Sequence, residues 1–179
     1  MCTHDELIRV ALSAGARKAT VIKTEDIVVS HVFRDICASN SCGMYGKCWM
    51  CPPDIGEIDA LMAQLKGYSH GLLYQTIYDI EDSFDIEGMG EASRNHAQVS
   101  QRVNDAAKPL LPGCLHLSCG GCNLCERCAK MDNQPCRIPD KALPPMEGYG
   151  IDVYNTVKPT ELKYINGQNT VTFFGIVLF

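Results

Sequence analysis

The chain has 179 residues, 46% of them apolar, which suffices for one domain with a hydrophobic core but not for two, so we expect a single domain over residues 1–179. The formal net charge is −5, and the 16 lysines and arginines form no stripe of the kind that a phosphate backbone requires, so we expect no nucleic-acid partner. Eleven cysteines are too few for a secreted disulfide scaffold, and an odd number cannot pair completely within one chain.

The N-terminal part is predicted to contain one helix and two strands. Apolar residues at helical spacing behind Thr3 predict a helix over residues 5–14, ended by Gly15. Runs rich in Val and Ile predict strands at residues 19–23 and 27–33. The second strand should lead directly into a loop rich in cysteine.

Residues 37–53 form this first cysteine-rich loop, in which Gly, Asn, Ser and Pro replace any sustained apolar period. Four thiolates within fifteen residues repel one another unless a cation holds them, which predicts a metal centre. Trp49 and the following prolines are expected to stiffen the loop and limit water around the centre. The predicted ligands are Cys37, Cys42, Cys48 and Cys51.

The middle of the chain returns to regular structure. The pattern predicts a helix over residues 55–65, a buried strand over 71–80, a helix over 91–107 and a short strand within 110–117. The acidic residues around 79–91 indicate either a solvated face or a surface for a basic partner.

Residues 119–139 form a second cysteine-rich loop, with a cysteine at every third position from Cys119 to Cys128 and one more at Cys136. Cysteines three apart on a winding loop direct successive sulfurs to the corners of one cubic cluster, whereas a helix would scatter them around its axis. Cys119 is an alternative to Cys128 in this triple. The predicted ligands are Cys122, Cys125, Cys128 and Cys136.

The spacing favours two [4Fe-4S] clusters, while four cysteines in a tetrahedral array also suit a closed zinc site. About seventy residues separate the two loops, so each is predicted to organise its own centre. Cys2 and Cys114 are left outside both sets. The five histidines form no ligand pair, and His116 alone lies near enough to the second loop to donate to a cluster sulfur.

The last predicted elements are a short helix near residues 151–157 and a strand over 170–179. Helices and strands mix without a βαβ repeat, which indicates an α+β fold with a mixed or antiparallel sheet. The start of the chain has no apolar signal segment, and no run is long enough to cross a bilayer, so we expect a cytoplasmic protein not bound to a membrane. Motifs for ATP, NAD or a serine nucleophile are missing from the sequence.

Four blocks of the chain, CGMYGKCWMCPP, YQTIYDIEDSFDIEGM, CNLCERCAKMDNQPCRIP and PPMEGYGIDV, resemble a bacterial and archaeal family called domain of unknown function 2284, labelled a predicted metal-binding protein. The resemblance spans most of the chain from Cys37 onward. It implies metal binding and common occurrence in anaerobes more than any particular reaction. It also implies that Cys37, Cys42 and Cys51 are the repeated set of the first loop, so that its centre takes a fourth ligand elsewhere.

Three functions are consistent with these patterns. If Cys136 ligates the first centre and the second loop takes a ligand in return, full cysteine ligation indicates electron transfer to a redox partner protein. If one iron keeps an open position, the protein is an iron-sulfur enzyme acting on an unknown small molecule. If the metal is zinc, the protein is a structural or interaction module.

Overall fold

The computed structural model describes residues 3–179. Its helices and strands, in chain order, are α1 (His4–Ser13), β1 (Lys18–Lys23), α2 (Val32–Ala38), α3 (Ile58–Leu65), β2 (His70–Asp79), α4 (Ile86–Ala107), β3 (Leu115–Leu117), α5 (Val153–Val157) and β4 (Thr170–Leu178). Short 3₁₀ helices lie at Thr24–Asp26, Ala129–Asp132 and Met146–Tyr149.

The four strands form one sheet in the order β1-β2-β4-β3, with every neighbouring pair antiparallel. β2 and β4 are the central pair, in register from Gly71 opposite Leu178 to Asp79 opposite Thr170. The predicted α+β class with an antiparallel sheet is therefore confirmed. The short edge strand β3 pairs with β4 and leads directly into the second cysteine-rich loop.

Apolar side chains are buried on both faces of this sheet. Because successive residues of a strand point to opposite faces, Leu72 and Tyr74 of β2 join the core cluster under α1 and α4, while Leu73 joins the cluster on the other face. That second cluster contains α3 and the 3₁₀ helix Met146–Tyr149. The helices thus cover a sheet whose edge strand presents the cysteines.

Several predicted elements are confirmed, with small shifts in their ends. Thr3 caps α1 as expected, and its side chain and Glu6 form a reciprocal capping box. Helix α4 begins five residues earlier than predicted, at Ile86, because Asp85 in the acidic stretch accepts a hydrogen bond from the Gly88 backbone N–H.

The strand predicted over residues 27–33 is wrong. Val29 makes only an isolated bridge to Ile151, and helix α2 begins at Val32. The bonds from Ser30 N to Gly150 O at 2.7 Å and from Asp152 N to Val28 O at 2.8 Å tie this segment to a distant part of the chain. Tertiary pairing therefore overrides local strand propensity, and the first cysteine-rich loop follows a helix instead of a strand.

We expect Gly175→Ala to lower the free energy of unfolding by about 1–3 kcal/mol. Gly175 lies opposite Tyr74, and a Cβ there would overlap the ring and hydroxyl of this fully buried tyrosine. Urea unfolding measures the effect. The control Gly90→Ala, whose Cβ would lie 3.6 Å from the end of Arg94, should be neutral or stabilise α4. Equal stability of the two variants would contradict the packing argument.

Candidate metal centres

The two cysteine-rich loops pack against each other through four residues, Trp49 and Asp54 of the first and Lys130 and Gln134 of the second, which we call the interloop latch. Trp49 Nε1 donates to Gln134 O at 2.9 Å. The Lys130 ammonium lies 4.4 Å from the centre of the Trp49 ring and pairs with the Asp54 carboxylate. The Lys130 and Asp54 side chains are only 19% and 15% exposed, so this ion pair is largely shielded from water.

The first loop closes on itself and buries two of its thiols. Gly43 and Gly46 adopt φ values of +73° and +68°, which allow the tight backbone path. Gly46 N donates to Pro52 O at 2.9 Å. As a result Cys48 and Cys51 are almost completely buried, whereas Cys42 at the loop tip is exposed.

One group of thiols combines both loops. Five cysteines line a small cavity of ≈ 20 Å³, one from the first loop and four from the second: Cys48, Cys122, Cys125, Cys128 and Cys136. The pKa of Cys48 is lowered first by its interaction with the Cys51 thiol, and the backbones of Met50 and Cys122 and the Cys128 thiol lower it further. We call these five residues the second thiol group.

The remaining site cysteines are Cys37, Cys42 and Cys51 of the first loop, and Cys119, whose pKa is influenced by Glu147 as that of Cys37 is. The interaction with Cys48 raises the pKa of Cys51, and burial and the charges of Cys42 and Cys37 raise it further. Burial also raises the pKa of Cys37 and of Cys119, and the Glu147 carboxylate adds to both shifts. We call these four residues the first thiol group.

The two thiol groups meet at Cys48 and Cys51. Cys51 N donates to Cys48 O at 3.0 Å, and the interaction between the two thiols lowers the pKa of Cys48 and raises the pKa of Cys51. Gly121 of the second loop also packs here, since a Cβ on it would lie 3.7 Å from Cys51 Sγ. Centres held by the two groups would therefore be neighbours.

This arrangement crosses the two loops in a way that the spacing of the cysteines did not predict. Cys48, expected with the first loop, lies among the second-loop thiols, and Cys119 does not line their cavity. Cys136 stays with its own loop. Cys114 packs against the core under α1 and α4, and Cys2 lies outside the described residues.

The donor set suits a thiophilic metal, since the ten described cysteines are all free and thiolates select zinc or iron-sulfur centres. Within residues 3–179, no three Cys, His, Asp or Glu side chains stand arranged to hold an ion. The room inside the second thiol group is about that of one water or ion. A cubic cluster there requires the thiols to rotate outward, and the four second-loop thiols are only partly buried.

A pocket lies between α4 and the second loop, with a volume of ≈ 200 Å³. Arg94 of α4 is exposed and lines it together with Cys119 and Cys122. The buried hydroxyls of Ser100 and Ser118 also line the pocket. The pocket thus joins both thiol groups to the interior of the protein.

Behind these two serines lies a buried hydrogen-bond network. Ser100 Oγ is 2.9 Å from Ser118 Oγ and accepts from the Tyr74 hydroxyl at 2.8 Å. Tyr74 also contacts His116 Nε2 at 2.8 Å, and His96 Nε2 lies 3.3 Å from Ser100 Oγ. Sequence reasoning treated the histidines as isolated because their partners lie on other elements.

Both imidazoles of this network are neutral at ordinary pH. Burial lowers the pKa of His96 to about 4 and that of His116 to about 3, the latter with a contribution from His96. Asn104 Oδ1 lies 3.3 Å from His116 Nδ1, so both ring nitrogens of His116 have partners within the core. The bond predicted from His116 to a cluster sulfur is therefore not formed.

We expect stability to fall as the pH drops below about 6.5. There the imidazoles of the unfolded chain take up protons, whereas His116 in the folded protein stays neutral down to about pH 3. For His116 alone the loss is about 2 kcal/mol between pH 7.5 and pH 5. Urea unfolding of the wild type and His116→Asn at several pH values measures it. The variant should show the shallower pH dependence, and identical dependences would contradict the assignment.

The fold and the site together define a cysteine-rich α+β protein of the metal-binding class. Residues 20–179 match the family described as predicted metal-binding protein, DUF2284, and the chain belongs to this family. No curated protein and no solved structure matches the chain. Over residues 3–179, none of the helices combines the length and the apolar character needed to cross a membrane.

We expect Lys130→Met to lower the free energy of unfolding by about 3 kcal/mol, because it leaves the Asp54 carboxylate enclosed without its cation. It should also speed the loss of bound metal to a chelator. The matched control is Lys141→Met, which breaks the half-exposed pair with Asp105 and should cost at most about 1 kcal/mol. Similar losses in both variants would show that the latch does not hold the loops.

Proposed function

We propose that this protein holds two [4Fe-4S] clusters and passes electrons to or from a partner protein in the cytoplasm. The observation that carries the proposal is the contact between Cys48 and Cys51, which a backbone hydrogen bond of 3.0 Å joins where the two thiol groups meet. The rate of electron transfer falls steeply with distance. Two neighbouring centres can therefore exchange electrons, whereas two distant centres would only stabilise their own loops.

The choice of iron over zinc rests on the second loop. Cys122, Cys125 and Cys128 repeat every third residue, which suits the corners of a cubic cluster. When bound, such clusters supply one-electron redox chemistry. The chain's part is to provide thiolates, to exclude water around the buried Cys48 and Cys51, and to hold both loops through the latch.

The acidic stretch is the surface that we assign to the redox partner. It exposes two large apolar side chains, Phe84 at 87% and Ile86 at 81%. Acidic groups around them include Glu81, Asp82 and Glu87. A partner with a basic rim and an apolar centre complements this surface, and charge of opposite sign speeds such encounters.

The pocket between α4 and the second loop favours a second candidate function, an iron-sulfur enzyme. Cys119 and Cys122 line the pocket, and the Arg94 guanidinium suits a small carboxylate or other anion. Addition of small carboxylic acids to the reduced protein tests this candidate. A shift in the electron paramagnetic resonance (EPR) spectrum of the wild type but not of Arg94→Gln would favour the enzyme.

The metal content of protein purified without oxygen tests the main proposal. We expect about eight iron and eight acid-labile sulfide per chain, a brown colour that dithionite bleaches, and magnetic coupling between the two reduced clusters in EPR. Cys125→Ser should lose about half of the iron. Cys114→Ser, which removes a thiol outside both groups, should keep all of it.

Three results would overturn this proposal. About two zinc per chain without colour would make the protein a structural module. Two clusters without magnetic coupling would remove the neighbouring route on which electron transfer depends. Equal iron loss in Cys125→Ser and Cys114→Ser would show that the cysteines are wrongly assigned to the thiol groups.

A further inference from the structure

Glu147 is a carboxylate that neither the core nor the latch uses. It lies in the 3₁₀ helix Met146–Tyr149, and its Oε2 is fully enclosed without a hydrogen-bond partner among the described residues. The carboxylate accepts only from its own backbone N–H, and burial raises its pKa. An enclosed carboxylate without a partner is costly, so a missing cation would account for it.

Backbone bonds fix Glu147 beside the start of the second cysteine-rich loop. Ser118 N donates to Pro144 O at 2.8 Å, and Met146 N donates to Ser118 O at 2.8 Å. Ser118 precedes Cys119, and Met146 precedes Glu147. The two short bonds therefore hold the backbone at residue 147 close to the backbone at Cys119.

A side chain of α2 fixes Glu147 beside the first loop as well. Arg34 Nη2 donates to Gly148 O and to Gly56 O, each at 3.0 Å. Cys37 follows Arg34 by three residues on the same helix, so both lie on one face. The charge of Glu147 acts on Cys37 as it does on Cys119, in agreement with this placement.

Arg34 does not neutralise the carboxylate. Its Nη2 is engaged by the two carbonyls, its Nε is buried without a partner, and no ion pair within the described residues joins it to Glu147. The Glu147 Oε2 atom, which lies outside the first thiol group as defined but near Cys37 and Cys119, therefore has no partner among the described residues.

We propose that Glu147 is a metal ligand of the first centre, where its carboxylate completes the set of Cys37, Cys42 and Cys51. Cys48 is drawn into the second thiol group, so these three thiols lack a fourth ligand from their own loop. Carboxylate oxygen binds iron and zinc but is harder than thiolate. This ligand makes the first centre the more exchangeable of the two. The inference rests on the proposed metal centres and adds a residue to one of them.

Glu147→Gln and Glu147→Cys, purified without oxygen beside the wild type, test the assignment. Glu147→Gln keeps the size of the side chain but removes its charge, and we expect iron to fall from about eight to about four per chain. Glu147→Cys should retain the iron and change the EPR and Mössbauer spectra of one cluster, because thiolate replaces oxygen. Circular dichroism of each variant verifies the fold.

Two further variants make the result specific. Glu161→Gln, at an exposed carboxylate, should keep wild-type iron and spectra. Cys119→Ser tests the competing ligand. If Cys119→Ser loses the centre and Glu147→Gln keeps it with unchanged spectra, Cys119 is the fourth ligand and the assignment of Glu147 is overturned.

The metal content of the wild-type protein tests the proposed function separately from the ligand assignment. A wild-type protein that contains zinc and no iron overturns the iron-sulfur proposal. In that case the same variants are compared by zinc content. Loss of one zinc in Glu147→Gln supports the ligand, and full retention overturns it.

Discussion

The thiol site depends on the interactions of one largely enclosed cation, the Lys130 ammonium. It lies against the Trp49 ring and pairs with Asp54, so one ammonium holds two loops that are about seventy residues apart in sequence. A mostly enclosed ion pair adds little net stability by itself, but it penalises every arrangement that separates its partners. The meeting of Cys48 with the second-loop thiols follows from this constraint.

The sheet supplies the rigid support for these loops. Both faces of the central pair β2 and β4 are buried. Strand β3 adds only three residues to the edge of the sheet before the second cysteine-rich loop begins. The polar network of Tyr74, Ser100 and His116 lies inside this frame and is satisfied by hydroxyls and amides of other elements. Such a network specifies one arrangement of the core below the site.

The sequence predicts those parts of the structure whose signal is local. The periodic residues and cap of α1, and the apolar runs of β2 and β4, lie within a few residues of the expected ends. The segment from residue 27 to 33 is rich in Val and still forms no strand, because its backbone pairs with residues 150–152, which no local pattern reveals.

The site shows the same division between local and tertiary information. Three-residue spacing identifies the second loop as a ligand loop, but it cannot show that Cys48 crosses over to it. Glu147 carries no signal in sequence, since one glutamate between Met and Gly resembles any surface residue. Only tertiary hydrogen bonds locate Glu147 near the cysteine-rich loops. Ser118 bonds to Met146, and Arg34 bonds to Gly148.

The pairing of β3 with β4 also sets an order in time. The ribosome makes Cys48 about 130 residues before Leu178, the last residue of the strand that positions the second loop. At ordinary rates of synthesis this interval is roughly 6–26 s. During this interval the first-loop thiols are not yet packed against a positioned second loop. They are therefore open to oxidation or to binding of other metals. Loading of the paired site is therefore an event that follows translation of β4, and the cell must keep these thiols reduced until then.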